Sequence, residues 1–334
     1  MNAAGQVIPA GRTLAAGRRG PAAPDTPGAI AEPGEGARTG TPPHLSLAVC
    51  ARGACDPLEF LRALQTEAVF AGPGAEVHIA HDGGWPSAVS PPHIHLHACP
   101  PGSSVARLWG EAIARSTAPY VAVLDIHVPP SPGWLRRVEA EIAAGTPLFF
   151  GPVDPGWSGS DRRILGYLIE YAQFRGPIPR NLGEVPGNNL VGLRELLTEP
   201  GGGSGGTPAA FFKTFAIWRL ARERGLSPRC FDDMAVVYRK GFALGPYLSA
   251  RLAQGRSFAG RRHTQPGQPS RLLCIAFTPL LPVLRLWRIL RAADRDGMLR
   301  RAARRYLPLL LLAETAWSAG ELLGYLAGPA GPEE

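Results

Sequence analysis

Ala118-Pro-Tyr-Val-Ala-Val-Leu-Asp125-Ile-His127-Val-Pro-Pro-Ser-Pro-Gly-Trp134 is the stretch on which the reading of the fold turns. Tyr120 to Leu124 is a short apolar run with β-branched and aromatic residues, the pattern of a strand buried on both faces. It stops at Asp125 and His127, and Pro129 and Pro130 then forbid further ladder pairing. A carboxylate and an imidazole at the carboxyl end of a central strand stand where open α/β sheets bind ligands. If the extended conformation persists, one intervening residue sends both side chains to the same side of the chain. Such a pair can hold a divalent cation, and the cation a diphosphate. From spacing alone, two ordinary polar residues at a strand end are the simpler reading.

Upstream, Leu45–Cys50 reads as a first strand, followed by a helix that opens at Asp56-Pro57-Leu58 and runs to about Thr66. Glu76–Asp82 reads as a second strand ending at Asp82-Gly83-Gly84, a plain turn on its composition. Strand, helix, strand in this order implies a parallel βαβ unit. Ile94–His97 is a short third strand, on which His93, His95 and His97 alternate; without an acid or cysteine to complete a ligand set they read as an exposed polar face. A helix over 102–116, with Ser103 or Ser104 as N-cap, leads into the opening strand. Downstream the spacing predicts a surface helix over Gly133–Ala144, with Glu141 on its polar side, and a buried strand over Leu148–Val153. A further helix over Arg162–Arg175 is expected to meet a membrane or an acceptor. Gly201–Gly206 reads as a flexible loop, a possible lid.

A chain of 334 residues accommodates one large or two ordinary domains, and 45% hydrophobic content fits a globular protein. The 41 Gly and 35 Pro exceed average usage. Residues 1–43 are poor in large apolar side chains and are expected to be disordered. Lysine occurs only at Lys213 and Lys240, so the net charge of +8 is almost all arginine, which suits phosphate or anionic lipid. Nucleic acid is ranked low, because no finger, RRM or helix-turn-helix pattern is present. The five cysteines lack C-x-x-C spacing and read as reduced residues in a cytosolic setting. No apolar h-region of a secretory signal stands at the N-terminus.

From Arg271 the composition changes. Leu272–Leu284 is nearly all apolar, arginines recur from Arg285 to Arg305, and Leu307–Leu312 is apolar again. Neither apolar segment reaches the about 20 uninterrupted residues of a spanning helix. Glu314, Ser318 and Glu321 recur at helical spacing, which fits helices lying in an interface or shallowly re-entrant, with arginines meeting anionic lipid. A soluble hairpin packed on the upstream domain is the alternative.

The Asp125-Ile-His127 segment with its proline-rich step and Gly133-Trp134-Leu135 resembles the acidic metal-site segment of inverting, family-two glycosyltransferases of the GT-A fold. Ile126 is apolar where one form of that motif has an acid. Arg256 and Arg262 lie in Gly255-Arg-Ser-Phe-Ala-Gly-Arg-Arg262, which resembles a signature of membrane-associated bacterial members. The ending Leu307-Pro308, Ala316-Trp317, Gly320-Glu321, Gly324-Tyr325-Leu326 and Gly328 resembles theirs as well. The resemblance covers about residues 44–328. It implies an α/β GT-A domain (Rossmann-like, mostly parallel sheet) over 44–265 and a membrane-associating helical tail over 266–334.

The same resemblance assigns roles residue by residue. Asp125 and His127 would hold Mn2+ or Mg2+, and Asp82 would contact the nucleotide's base or ribose. Arg107, on the helix before the Asp125 strand, is a candidate phosphate contact, with a solvated helix face as the other reading. Asn188 or Asn189, in Val185-Pro-Gly-Asn-Asn, would meet a sugar hydroxyl or brace a loop, and a turn accounts for them equally well. Arg256 and Arg262 would bind the diphosphate or a lipid phosphate. Lys213 stands where the family's general base is a glutamate, and Tyr238 where a histidine is expected; Asp232 and Asp233 are candidates to take over the base. The activity implied is sugar transfer from a nucleotide diphosphate sugar to a lipid-linked or polysaccharide acceptor of the cell envelope, on the cytoplasmic face of the inner membrane. The alternative is a degenerate, non-catalytic homologue that binds nucleotide sugar or a partner enzyme there.

Overall fold

The seven residues of β1 (Leu45–Ala51) are all buried, as a strand with neighbours on both edges and both faces must be. The computed structural model describes residues 43–53, 56–69, 74–83, 85, 94–179, 184–198, 210–262 and 269–328. The expectations for residues 1–42, His93 and Gly201–Gly206 lie outside them. Helix α1 (Leu58–Thr66) follows β1 and buries Phe60, Leu61 and Leu64, while Leu58 at its start stays exposed. Strands β2 (Ala75–His81) and β3 (Ile94–Ala98) come next, then α2 (Val105–Arg115) and β4 (Tyr120–Asp125). Ser104 caps α2 by accepting the Arg107 N–H, and the Trp109 indole N–H donates to the Leu124 carbonyl at 2.7 Å. That buried bond fixes α2 against the end of β4.

The chain continues through α3 (Trp134–Ala143), β5 (Leu148–Phe150), β6 (Val153–Pro155), α4 (Ile164–Glu170), β7 (Asn189–Leu193), α5 (Arg194–Leu197), α6 (Lys213–Arg224), β8 (Arg229–Cys230) and β9 (Val236–Tyr238). The main sheet has seven strands in the order β3-β2-β1-β4-β7-β5-β8, and β6 pairs with β9 in a second, two-stranded sheet. Pairs β3/β2, β2/β1, β1/β4 and β5/β8 are parallel, and β7 runs antiparallel to both of its neighbours. This is the expected α/β class with a mostly parallel sheet and a helical C-terminal region.

Three local expectations are corrected. Leu148–Val153 is two strands in different sheets rather than one. Glu141 is buried rather than solvated, because the Thr146 hydroxyl (2.6 Å) and Arg137 (3.2 Å) satisfy its carboxylate. Helix α4 buries Ile164, Leu165, Tyr167 and Leu168 in the core, so its apolar face is not a membrane surface.

The C-terminal helices are α7 (Leu244–Arg262), α8 (Arg271–Phe277), α9 (Leu281–Ala293), α10 (Gly297–Arg305) and α11 (Leu307–Ala327). Helices α7 and α11 cross at backbone contact. A Cβ on Gly255 would lie 2.2 Å from the Trp317 carbonyl oxygen, and one on Gly320 would lie 2.0 Å from that of Leu252. Glycine is the residue that permits such an approach. The two separate motifs of the sequence are thus the halves of one packing unit.

Helix α11 is turned the other way from a soluble amphipathic helix. Its polar residues Glu314, Ser318 and Glu321 are buried, whereas Leu307, Leu311, Leu312, Leu323 and Leu326 are exposed. Arg251 meets Glu314 at 3.0 Å, Arg285 bonds its other oxygen, and both guanidiniums stack on the Trp317 ring at 4.2 and 4.6 Å. Buried charge is tolerated when paired and hydrogen-bonded in this way. On the neighbouring helices Leu272, Phe277, Leu280, Val283, Leu284 and Trp287 extend the exposed apolar surface, with Leu272 79% and Val283 63% exposed. Arg271–Ala293, with mean hydropathy 1.6, is long and apolar enough to cross a membrane by length and composition.

Candidate functional site

Strand order alone locates a crevice. From β1 the chain moves outward through β2 to β3, then returns to lay β4 on the other side of β1. Ligands of open α/β sheets bind outside the carboxyl ends of strands at such a reversal. Cys50 lies level with Asp125 across the β1/β4 pair, and Ala51 is level with His81 across β1/β2. Asp82 and Asp125 therefore stand on either side of the end of β1. Asp82 Oδ1 accepts the Gly53 N–H at 2.7 Å, which ties the end of β2 to the segment leaving β1. Asp125 Oδ1 accepts the His127 N–H at 2.8 Å, and the Cys50 thiol points at Oδ2 from 3.5 Å. Burial, followed by the nearby Asp125 charge, pushes the Cys50 thiol well up, so it is a neutral donor.

The extended conformation ends at Asp125. The Val128 N–H donates to the Asp125 carbonyl at 2.8 Å, closing a turn through His127. Strand alternation therefore does not set the direction of the His127 side chain. Among the described residues no three His, Cys, Asp or Glu side chains gather as a metal cage. A lone carboxylate with open lone pairs does fit a hard cation that keeps waters and takes its remaining ligands from substrate phosphates.

Antiparallel β7 runs up to the same edge. Leu124 is paired with Asn189, so Asn188 is next to Asp125 in the following register. The two asparagines differ sharply. Asn189 accepts the Trp134 indole N–H at 2.9 Å and donates to the carbonyls of Pro152 (3.0 Å) and Met234 (2.7 Å). It braces three segments and has little capacity left for a ligand. Asn188 is fully buried, and neither its amide oxygen nor its nitrogen has a hydrogen-bond partner. An orphaned amide beside the crevice carries a large desolvation cost unless something bonds it.

Lys213 opens α6 beside this loop. A Cβ on Gly187 would be 3.0 Å from Lys213 Cδ and 2.8 Å from the Trp109 ring. The ammonium donates to the Val185 carbonyl at 2.7 Å and lies 5.3 Å from the Phe174 ring centre. Burial lowers its pKa to about 8, against the opposing pull of Glu184 and Glu170. Glu184 is itself bonded by Arg288 of α9 at 2.7 Å and by Gln173 at 2.9 Å.

Glu170, the last residue of α4, carries no motif and the sequence reading missed it. It accepts the Tyr247 hydroxyl of α7 at 3.0 Å. Both lysines of the chain feel it. Burial pulls the Lys240 pKa down, but Glu170 and Asp125 outweigh it and hold the ammonium charged. Tyr171, Tyr238 and Tyr247 line the same space with hydroxyl pKa values driven well up by burial. Tyr238, where a histidine was expected, packs edge-on against Tyr167 at 6.0 Å and beside Tyr171 at 5.3 Å.

The other expected residues fall elsewhere. Asp233 is exposed and bonded to Arg137 of α3 at 2.8 Å, and Asp232 accepts the Ile178 N–H at 3.1 Å. Arg107 sits in the first turn of α2. Arg256 donates to the Gly328 carbonyl at 3.2 Å, and buried Arg262 donates to the Tyr325 hydroxyl at 3.3 Å, so both hold the end of α11. His95 and His97 are not an exposed face: both stack on buried His78, at 4.9 and 5.3 Å, because β3 pairs with β2 on that side.

No protein-family model and no curated protein matches the sequence. Among solved structures, the chain is similar to a mannosyltransferase from Pyrobaculum calidifontis in complex with GDP-Man and Mn2+, at 16% identity and TM-score 0.47, over 86% of this chain and 88% of that one. It is also similar to glucosyl-3-phosphoglycerate synthase from Mycobacterium tuberculosis in complex with Mn2+ and UDP-glucose, at 14% identity and TM-score 0.44, over 68% and 80%.

Proposed function

We propose that the chain is a GT-A glycosyltransferase that takes a sugar from a nucleotide diphosphate sugar and passes it, with inversion, to a lipid-linked or polysaccharide acceptor at a membrane. The observation that carries this reading is the crevice at the strand reversal, flanked by Asp82 and Asp125, with the fully buried, unpartnered Asn188 amide in the register position beside Asp125. Asp82 would orient the nucleoside, and Asn188 would hydrogen-bond a donor hydroxyl or phosphate. Asp125, with His127, would hold a divalent cation, which when bound supplies charge to the leaving diphosphate. Cys50, neutral beside Asp125, leaves that carboxylate the nearest anion at the strand end.

The membrane part of the reading rests on the exposed apolar residues of α8, α9 and α11, among which Arg271 and Arg291 are also exposed. Arg285 and Arg288 turn inward to Glu314 and Glu184, while Arg300, Arg301, Arg304 and Arg305 on α10 remain exposed for anionic headgroups. We infer a monotopic placement on the cytoplasmic leaflet of the inner membrane, with 44–265 as the transfer unit and 266–334 as the anchoring unit.

One observation favours the rival, a non-catalytic nucleotide-sugar binder: the Lys213 ammonium, at the family's base position, is spent on the Val185 carbonyl. Incubation with labelled UDP- and GDP-sugars, Mn2+ and a membrane lipid extract separates the two. Product that is lost in Asp125→Ala supports transfer, and donor binding without product supports the rival.

A further inference from the structure

Arg239, which no motif marks, bridges the ends of the two strands that form the crevice. It follows β9, and its backbone N–H donates to the His127 carbonyl at 2.8 Å, which anchors it to the turn after Asp125. Its side chain runs along Gly156: a Cβ there would lie 2.6 Å from Arg239 Cδ, and the guanidinium donates to the Gly156 carbonyl at 2.7 Å. The Trp157 ring centre is 5.6 Å from Cζ. From this cradle Nε reaches Glu59 Oε1 at 3.0 Å. Glu59 stands in the first turn of α1, the helix that the chain enters after leaving β1. The Glu59–Arg239 pair therefore joins the segment after β4 to the segment after β1, the neighbouring parallel strands on which Cys50 is level with Asp125. As a resting contact the pair is weak. The side chains of Arg239 and Glu59 are 38% and 60% exposed, where ion pairs contribute little. The two groups meet at ion-pair distance without hydrogen-bond alignment, and the buried Nε–H has no hydrogen-bond partner.

We propose that Arg239 grips the diphosphate of the donor, and that Glu59 holds its guanidinium only until the diphosphate arrives. The assignment rests on the glycosyl-transfer reading above and adds to it a binding residue with its own internal competitor. A guanidinium presents a planar fork of donors that matches two phosphate oxygens, and the single, misaligned Glu59 contact leaves that fork incompletely used. Exchanging an exposed carboxylate for a phosphate costs little and gives the Nε–H a partner. The Gly156 carbonyl and the Trp157 ring hold the side chain through the exchange, so little ordering has to accompany binding. Two consequences follow from this arrangement. The site discriminates a nucleoside diphosphate from a monophosphate through Arg239, and Glu59 lowers the affinity by competing for the same guanidinium.

The test titrates the full chain with UDP, GDP, UMP and GMP in the presence of Mn2+. Wild type is compared with Arg239→Gln, Arg239→Lys, Glu59→Gln and the combination of Glu59→Gln with Arg239→Gln, each verified as folded by thermal unfolding. Arg239→Gln is expected to weaken diphosphate binding by about tenfold or more and to leave monophosphate binding within about threefold. Arg239→Lys is expected to recover part of the loss, because an ammonium keeps the charge without the fork. Glu59→Gln is expected to tighten diphosphate binding by about threefold, a gain that disappears in the double variant. Unchanged diphosphate affinity in Arg239→Gln, equal losses for mono- and diphosphates, or a Glu59→Gln gain that is absent or persists without Arg239 overturns the assignment while the transfer reading stands. A wild-type chain that binds neither diphosphate overturns both.

Discussion

The Trp134 indole N–H donates to the Asn189 amide oxygen at 2.9 Å, and both side chains are fully buried. The same amide donates to the Pro152 and Met234 carbonyls, so one side chain joins α3, β7 and the two segments that lead into the small sheet. Substituting Asn189→Leu removes three hydrogen bonds and strands the Trp134 N–H and the Met234 carbonyl, while the Pro152 carbonyl keeps the Val236 N–H. The expected loss is about 3 kcal/mol or more, measured as a shift in urea midpoint at constant slope.

The α7–α11 crossing makes a second prediction. An alanine at Gly320 must displace the Leu252 carbonyl from a 2.0 Å approach. Gly320→Ala is expected to cost about 1–3 kcal/mol or more, and Glu314→Ala, which leaves Arg251 and Arg285 facing each other across a buried space, about 3–5 kcal/mol. Thermal unfolding of the two variants checks both figures.

How much of this was legible beforehand depends on the reach of each interaction. Strands β1 to β4 announce themselves through runs such as Tyr120–Leu124, because burial on both faces leaves a local mark. The Asp125 strand end and the Asp82 turn were legible for the same reason. Asn188 and Asn189 were indistinguishable, since only the register of β7 on β4 decides which amide is braced and which is orphaned. Glu170 had no signal at all: its hydrogen-bond partner Tyr247 is 77 residues away in sequence. The stripe of Glu314, Ser318 and Glu321 was visible, but its inward direction follows from Arg251 and Arg285, which periodicity within α11 cannot supply.

Acid should weaken the β2–β3 edge in two stages. Burial, then the neighbouring His78, lowers the His97 pKa to about 4. The unfolded chain binds that proton near pH 6.5 and the folded chain does not, so stability falls as pH drops from about 6.5 to 4. Glu76 is held well below the carboxylate range, burial being outweighed by hydrogen bonds from His78, Ser46 and Thr117, and its contribution is lost below about pH 4.5. His97→Asn is expected to flatten the upper stage and leave the lower one, as read from unfolding midpoints between pH 7 and 3.

The exposed apolar face should be a membrane face. Charge introduced by Leu272→Glu, Phe277→Glu or Trp287→Glu is expected to reduce binding to vesicles containing anionic lipid by about tenfold or more each. Neutralising Arg300, Arg301, Arg304 and Arg305 should instead reduce the salt dependence of binding. Equal vesicle sedimentation for all these variants and wild type would remove the membrane from the account.

The central claim is a nucleotide diphosphate site at Asp125, and calorimetric titration with UDP and GDP, each with and without Mn2+, addresses it most directly. The account predicts Mn2+-dependent binding of one of them, abolished in Asp125→Ala. Binding of neither nucleotide, or binding that Asp125→Ala leaves intact, would contradict it.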